Sequence, residues 1–222
     1  MFEELSLTLA IVIATSAITI VAFYRPPLLR ALLIDVGEIL GQRTQWWRMF
    51  TSGLVHGDYG HLFFNMMSLY FFGSWLEMVI EPWRYSMVYV VGIVFGSFVA
   101  VIVHRRDPSY LALGASGGVC AVIGAATVIY PQLPMMVFLI PVAIPAWIYG
   151  MLFVFFSVYA AQRSSDAIGH EAHLGGTFIG ITLVAAFYPV LALEHWPYIL
   201  SMFAAGAGGW FAPRILRRGR LE

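Results

Sequence analysis

A serine flanked by glycines and a histidine farther along are the residues of this chain that could do chemistry together. Ser116 lies in the sequence Gly-Ala-Ser-Gly at residues 114–117, inside a stretch of residues 108–162 that carries no charge. His173 opens a second apolar stretch. Polar groups without partners are costly at membrane depth, so a histidine kept there usually has a partner and a task. The two residues predict nucleophilic chemistry inside a membrane, provided that the fold brings them together.

Composition puts the chain among polytopic membrane proteins. Of its 222 residues 60% are hydrophobic and 11% are charged, with a mean hydropathy of +0.82, whereas about a quarter of a soluble domain is charged. All twelve basic residues are arginines, which excludes a Ser-Lys dyad and any mechanism that needs a P-loop, pyridoxal or retinal lysine. The net charge of zero leaves no basic surface, so we expect no nucleic-acid partner, and no cofactor or metal motif is present.

Six apolar runs are long enough to cross a bilayer, which takes about 20 residues. They are residues 5–24, 61–80, 85–103, 111–130, 146–162 and 172–193. The first run follows acidic residues and precedes no cleavage site, so we interpret it as a retained span. Residues 196–212 form a shorter, glycine-rich run with three open interpretations: a seventh span, a re-entrant hairpin or an interfacial helix. The arginine-rich tail favours six spans with both termini in the cytoplasm.

These runs predict one all-α polytopic membrane domain, a six-transmembrane-helix bundle. Residues 1–27 form the first transmembrane helix and residues 61–193 the helical core that carries the chemistry. Residues 28–60 form an interfacial loop, whose leucines recur at a helical period and predict an amphipathic helix in the headgroup layer. Residues 194–222 form a membrane-associated segment, or an additional membrane helix, with an arginine-rich tail. Residues 135–140, which lie between prolines, predict an interfacial patch.

The glycines near the two polar residues have more than one interpretation. Those beside Ser116 permit a tight approach into a helix start, where free N–H groups stabilise an oxyanion, but they are also typical of close helix packing. His173 shares a helical face with Gly176 and Gly180, which lets a neighbouring helix come within reach of a general base. A histidine at a helix start is equally typical of a polar anchor at the interface.

A further pair of polar residues lies at the mouth of the second span. His61 and Asn65 are four residues apart, so they project from one helical face and can donate to one oxygen together. Two such donors form half of an oxyanion hole. A polar helix cap at the water boundary is the alternative.

Taken in order, these motifs resemble the rhomboid family of intramembrane serine proteases. The resemblance covers residues 46–187 and implies a serine endopeptidase with a Ser-His dyad that lacks a third member. Five motifs of matching order, spacing and depth carry it: Trp47-Arg48, His61 with Asn65, Glu77, Gly114-x-Ser116-Gly117, and His173 with Gly176 and Gly180.

The resemblance implies the catalytic roles. Ser116 would be the nucleophile and His173 the general base. The oxyanion would be bound by His61, Asn65 and the backbone N–H of Ser116. The expected partners are substrate transmembrane helices and the lipid bilayer.

The resemblance also implies supporting roles and contains one departure. Glu77 would be a buried carboxylate that braces the helices, and His56 would lie near the cavity mouth. Trp47 and Arg48 would belong to a first-loop element at the membrane interface. One turn after the nucleophile the family usually has an aromatic ring that stacks on the histidine, whereas this chain has Cys120. We expect another aromatic residue to substitute or the base to be more mobile.

Other functions stay open at this point. A rhomboid-like protein that binds transmembrane helices without cutting them would keep the fold and lose the chemistry. A small transporter could use the same polar residues as a relay, although the two halves show no internal repeat. His170 and Glu171 are expected to be ordinary loop residues, because their spacing to His173 does not match the zinc motif His-Glu-x-x-His. Without targeting elements, we expect a prokaryotic plasma membrane, with the active site open to the outer face.

Overall fold

The computed structural model describes residues 6–41, 45–136, 143–161 and 169–218, which are predominantly helical. The described helices are α1 (Leu7–Phe23), α2 (Pro26–Leu32), α3 (Val36–Leu40), α4 (Arg48–Thr51), α5 (Tyr59–Ser68), α6 (Ser74–Val79), α7 (Pro82–Val103), α8 (Ser116–Ile129), α9 (Ala146–Ala161), α10 (His170–Phe187), α11 (Pro189–Glu194) and α12 (Trp196–Arg218). The short strands are β1 (Ile34–Asp35), β2 (Leu111–Ala112), β3 (Pro134–Met136) and β4 (Ala143–Pro145).

Helices follow the predicted apolar runs, with shifts at their ends. Helix α8 begins at Ser116 rather than at residue 111, because β2 occupies the start of that run. Helix α10 ends at Phe187, just before Pro189, since a residue that precedes proline is disfavoured in a helix. By length and composition, one described helix, α7, is able to cross a membrane alone, while α1 and α8 are shorter apolar helices.

Helix α8 forms the centre of the bundle. Every residue from Gly117 to Val128 is buried. The sequence of α8 is rich in glycine, alanine and valine, and small side chains let neighbouring backbones approach closely. Helices α7 and α10 pack directly on α8, with more extensive contacts than other described elements make with it.

The first loop folds as short pieces rather than as one amphipathic helix. Helix α2 ends at Leu32, the strand β1 follows, and α3 is a single turn capped by the Asp35 side chain. Val36 and Ile39 are buried with Met49 and Val101 in a small second core, so part of the periodic apolar pattern faces protein instead of lipid. Strand β1 pairs antiparallel with β2, which leads toward α8.

The predicted patch before α9 is partly a hairpin-like pairing. Strands β3 and β4 are antiparallel, with Met135 opposite Ile144. The rest of the patch, residues 137–140, and the end of the tail, residues 219–222, lie outside the described residues.

The C-terminal run forms one helix, α12, and not a re-entrant hairpin. Gly150 of α9 contacts Met202, and farther along Gly209 contacts Phe155 and Val158. The residue numbers of both helices increase together along this contact, so α12 runs parallel to α9. Glycine at the contact permits the close approach.

Glu77 of α6 holds the start of α1. One carboxylate oxygen accepts a hydrogen bond from the Leu7 N–H at 2.6 Å, and the other accepts from the Thr8 N–H at 2.8 Å. The Ser6 hydroxyl accepts from the Leu9 N–H at 3.1 Å. The first N–H groups of a helix have no acceptors within the helix. In α1, the carboxylate of a residue far away in the chain provides two of these acceptors. Negative charge at this end also suits the helix dipole.

We predict that Glu77→Ala lowers the free energy of unfolding by about 1–3 kcal/mol, because two N–H donors lose their acceptor. Glu77→Gln keeps one carbonyl acceptor and should lose less. Thermal unfolding of the full chain in detergent measures both changes. The neighbouring Met78 is 76% exposed, so Met78→Ala is the matched control. Equal melting temperatures for Glu77→Ala and Met78→Ala would contradict this role.

Candidate active site

The segment before Ser116 is held from two sides by the first loop. Ala112 pairs with Ile34 across the β1–β2 ladder. Two residues farther on, the Gly114 N–H donates to the carbonyl of Ser52 at 2.9 Å. The backbone that enters α8 is therefore fixed before the helix begins.

Position 114 accepts glycine alone, because of its backbone conformation and because of a neighbouring side chain. Its φ of +123° lies in the left-handed region, which strains any residue with a Cβ atom. A Cβ atom there would lie 2.7 Å from Cε1 and 2.8 Å from Nε2 of His61. The imidazole of His61 is thus pressed against the loop, two residues before Ser116.

Ser116 is the first residue of α8, with Ala115 at the cap position. Its side chain is partly exposed, whereas Gly117 and the following residues are buried. The N–H groups of the first helical turn have no acceptors within the helix and carry the positive end of its dipole. A carbonyl oxygen next to Ser116 would meet these donors.

A direct backbone contact joins α8 to α10 beside Ser116. A Cβ atom on Gly176 would collide with the carbonyl oxygen of Gly117, and one on Gly180 would collide with that of Ala121. The residue numbers of the contacting pairs increase together along both helices. Helices α8 and α10 are therefore parallel, and their N-terminal ends lie at the same end of the bundle. This contact begins one residue after Ser116.

His173 lies one turn before Gly176, near the N-terminal end of α10, and shares the helical face of the contact. It also lies within electrostatic range of His61. In the part of the chain that the structure describes, the Ser116 hydroxyl and the His173 imidazole form no hydrogen bond. Catalytic hydrogen bonds often tighten only when substrate is bound.

His61 and Asn65 are positioned by their own helix. The Asp58 carboxylate caps α5 by accepting from the His61 N–H at 2.8 Å. The Asn65 amide donates to the carbonyl of His61 at 3.0 Å and is buried. One of its two amide hydrogens remains for another acceptor.

A family profile described as the rhomboid domain matches residues 43–190. The chain belongs to the rhomboid family. The family is membrane-integral, and the helical fold described above is the rhomboid fold of this chain.

Three relatives show the range of the family. The chain is 31% identical over 147 residues to "RHOMBOID-like protein 12, mitochondrial" of Arabidopsis thaliana, covering 59% of this chain and 43% of the relative. It is 32% identical over 80 residues to "Putative rhomboid protease YdcA" of Bacillus subtilis, covering 36% and 39%. It is 27% identical over 139 residues to "Inactive rhomboid-related protein 2" of Caenorhabditis elegans, covering 61% and 38%. The chain spans less than half the length of each.

His56 links α1 to the loop that precedes Ser116. Its Nε2 accepts from the Ala115 N–H at 3.2 Å, and its Nδ1 lies 3.1 Å from the Thr19 hydroxyl, which donates to the Leu54 carbonyl. Because Nε2 accepts, the proton is on Nδ1 and the ring is neutral. Burial lowers the pKa of His56 to about 3, and the nearby His61 adds to the shift.

Arg48 is buried inside the first loop, the element that the family resemblance places at the membrane interface. Its guanidinium donates to the carbonyls of Arg30 at 2.8 Å and Leu33 at 2.9 Å, and to the side chain of Gln45 at 2.6 Å. These bonds fix the loop internally, because the planar guanidinium can satisfy several acceptors at once. Trp47, which is 55% exposed, faces the surroundings.

Cys120 is buried, and an aromatic ring from another helix lies beside the histidine. The ring of Phe153 on α9 is 5.9 Å from that of His173, between centroids, at an interplanar angle of 32°. The family resemblance left two alternatives for the missing ring: another aromatic residue substitutes for it, or the base is more mobile.

Sequence reasoning did not identify Thr19 or Ser52 as parts of this site. A signal for Thr19 was present: Thr8, Thr15 and Thr19 lie on one face of the predominantly apolar α1, and all three are buried. Ser52 acts through its backbone carbonyl, for which side-chain patterns carry no signal.

Metal ligands do not cluster in the described residues: no group of three or more His, Cys, Asp or Glu side chains is arranged to bind an ion. His170 and Glu171, predicted to be loop residues, form the first turn of α10. Glu171 lies 3.8 Å from Nε2 of His104, near the end of α7.

We predict that His56 makes stability pH-dependent. The folded-state pKa of His56 is below its ordinary value of about 6.5, so the unfolded chain binds more protons below that pH. The free energy of unfolding should therefore fall as the pH drops from about 6.5 toward about 3. Between pH 7.5 and pH 5, His56 should account for a loss on the order of 2 kcal/mol.

Chemical unfolding of wild type and His56→Gln in the same detergent at both pH values measures this contribution. The variant cannot take up the proton, so its loss of stability between the two pH values should be smaller. Parallel losses in the two proteins would show that His56 is not the group responsible.

Proposed function

We propose that the chain is an intramembrane serine protease that cleaves transmembrane or membrane-proximal segments of other proteins. The observation that supports this most strongly is the glycine contact between α8 and α10, which begins one residue after Ser116 and one turn after His173. It holds the helix ends that carry a hydroxyl nucleophile and a general base side by side. A Ser-His pair of this kind hydrolyses peptide bonds.

The chemistry proceeds in two acyl-transfer steps. His173 accepts the Ser116 hydroxyl proton as the oxygen attacks the scissile carbonyl, and then gives that proton to the leaving amine. Water, deprotonated by the same imidazole, hydrolyses the acyl-enzyme and regenerates the serine. His61, Asn65 and the Ser116 N–H stabilise the oxyanion in both steps.

The oxyanion role has support in the site's geometry. The His61 ring lies against Gly114, and the only Asn65 side-chain bond among the described residues leaves one amide hydrogen free. Both donors are carried by one helix, α5, and the third belongs to the first turn of α8.

The proposed membrane arrangement follows from the helices. We infer six spans for the family core, with α12 as a seventh that runs parallel to α9. A substrate helix must unwind to expose its carbonyl, which leaves backbone groups without partners in lipid. Substrates should therefore have glycine, proline or small residues near the cut. An outward-facing site in a prokaryotic membrane stays a prediction, since the relatives include mitochondrial and bacterial proteins.

A second candidate function is helix binding without cleavage. The Caenorhabditis elegans relative and an Arabidopsis thaliana relative, "Inactive RHOMBOID-like protein 8", are named as inactive. Both functions share the fold, so they differ only in whether Ser116 is nucleophilic.

We predict that purified full-length protein cleaves a single-span substrate and is labelled by a fluorophosphonate probe, and that Ser116→Ala loses both activities. Ser86 lies on α7, where its hydroxyl bonds to the Pro82 carbonyl, so Ser86→Ala is the matched control and should behave as wild type. A folded wild-type protein that is neither labelled nor active would favour the non-cleaving function.

We predict that Asn65→Ala lowers kcat by about 10²-fold to 10³-fold, because one oxyanion donor is lost. Cleavage kinetics at saturating substrate measure this, with thermal unfolding as a check that the variant is folded. A folded Asn65→Ala with wild-type kcat would remove Asn65 from the oxyanion site.

A further inference from the structure

We propose that Phe153 of α9 is the positioning residue that orients the His173 imidazole toward Ser116; this rests on the proposed function. A general base without a third hydrogen-bonding member depends on packing for its orientation. Phe153 contributes that packing from a helix other than the two that carry the catalytic pair.

His173 has no hydrogen-bonding partner for its ring within the described residues. Its ring neighbours there are Phe153, at a centroid distance of 5.9 Å and an angle of 32°, and His170, at 5.9 Å and 80°. His170 is on the same helix and meets the ring edge-on. The ring of Phe153 is closer to parallel with the imidazole than that of His170, and it belongs to a different helix. Phe153 is therefore the group that can fix the rotation of the imidazole about its Cβ–Cγ bond.

Helix α8, which carries Ser116, does not provide a ring against which the His173 imidazole could stack. Cys120, one turn after Ser116, is the residue of α8 that faces in the same direction, and its short side chain is buried. A thiol has no flat surface to stack against an imidazole. The aromatic contact must therefore come from a neighbouring helix.

Phe153 is itself held in place by two further rings. It stacks on Tyr149, one turn earlier on α9, at 6.5 Å and an angle of 8°. Tyr149 contacts Phe72 at 5.5 Å. Phe72 lies in the π-helical turn Leu69–Gly73, between α5 and α6, and is buried. This row of three rings joins α9 to the helix that carries the oxyanion donors.

Helix α9 is supported on another side by α12. Gly150, one residue after Tyr149, contacts Met202 of α12, and Val154, one residue after Phe153, contacts Gly206. Packing on both sides fixes the position of Phe153. The orientation of the base consequently depends on α9 and α12, although neither helix carries a catalytic residue.

Phe153→Leu tests the proposal, because it keeps most of the apolar volume and removes the flat ring. Phe153 is only partly buried and leucine fills most of the space of the ring, so the variant should fold. We expect kcat for a single-span substrate to fall about 10-fold to 100-fold with KM unchanged, since small misplacement of a catalytic group costs about that much. Fluorophosphonate labelling of Ser116 should slow by a similar factor.

Three variants complete the design. Phe153→Tyr keeps the ring and should retain activity. Phe156 is on the same helix and 59% exposed, so Phe156→Leu is the matched control and should equal wild type. The double variant Phe153→Leu with Cys120→Phe returns a ring to α8 and should recover at least part of the lost kcat.

A readout that is independent of activity separates this proposal from the proposed function. Carbethoxylation of His173 by diethyl pyrocarbonate, measured by mass spectrometry, should be faster in Phe153→Leu than in wild type. If wild type is inactive but this difference is found, the packing role stands and the protease function fails. If Phe153→Leu matches wild type in kcat and in His173 modification, the proposal is overturned.

Discussion

The structure depends on the absence of side chains at one point where three helices meet. Gly117 of α8 contacts Gly176 of α10, and its Cα atom would lie 3.3 Å from a Cβ atom on Gly96 of α7. Backbones approach this closely only where no Cβ atom intervenes. The contact lies beside Ser116 and one turn from His173, so the same glycines that pack the bundle also set the distance between the two chemical groups.

Two polar side chains that are far away in the chain form hydrogen bonds at the two ends of α1. Glu77 supplies acceptors to the start of α1, and His56 connects Thr19 of α1 to the Ala115 N–H. Buried polar groups require such partners, because leaving them unpaired is costly in a non-aqueous environment. Helix α1 and the first loop are thereby tied to the backbone that presents Ser116. Of these bonds, the one from the Ala115 N–H to His56 lies directly beside Ser116.

Features that depend on helical periodicity could be predicted from the sequence. Features that depend on contacts between residues far apart in the chain could not. The shared face of Gly176 and His173 follows from helical spacing alone, and so does that of His61 and Asn65. The burial of Arg48 does not follow from spacing, because its acceptors are backbone carbonyls that only folding brings near. Phe153 could not be chosen among many aromatic residues, since only the packing of α9 against α10 selects it. The first loop was predicted to contain an amphipathic helix, and its apolar period does not reveal the β1–β2 pairing.

The central claim is that Ser116 and His173 face each other across the α8–α10 contact. Cross-linking tests this directly: with Cys120, the single cysteine, changed by Cys120→Ala, the pair Ser116→Cys and His173→Cys is treated with the shortest bifunctional thiol reagent. Mass spectrometry of the digested protein should find the two peptides joined. The control pair, Ser116→Cys with Phe178→Cys, should not cross-link, because Phe178 is 47% exposed on the outer side of α10. A folded protein that joins the control pair, and leaves residues 116 and 173 unlinked, would contradict the account.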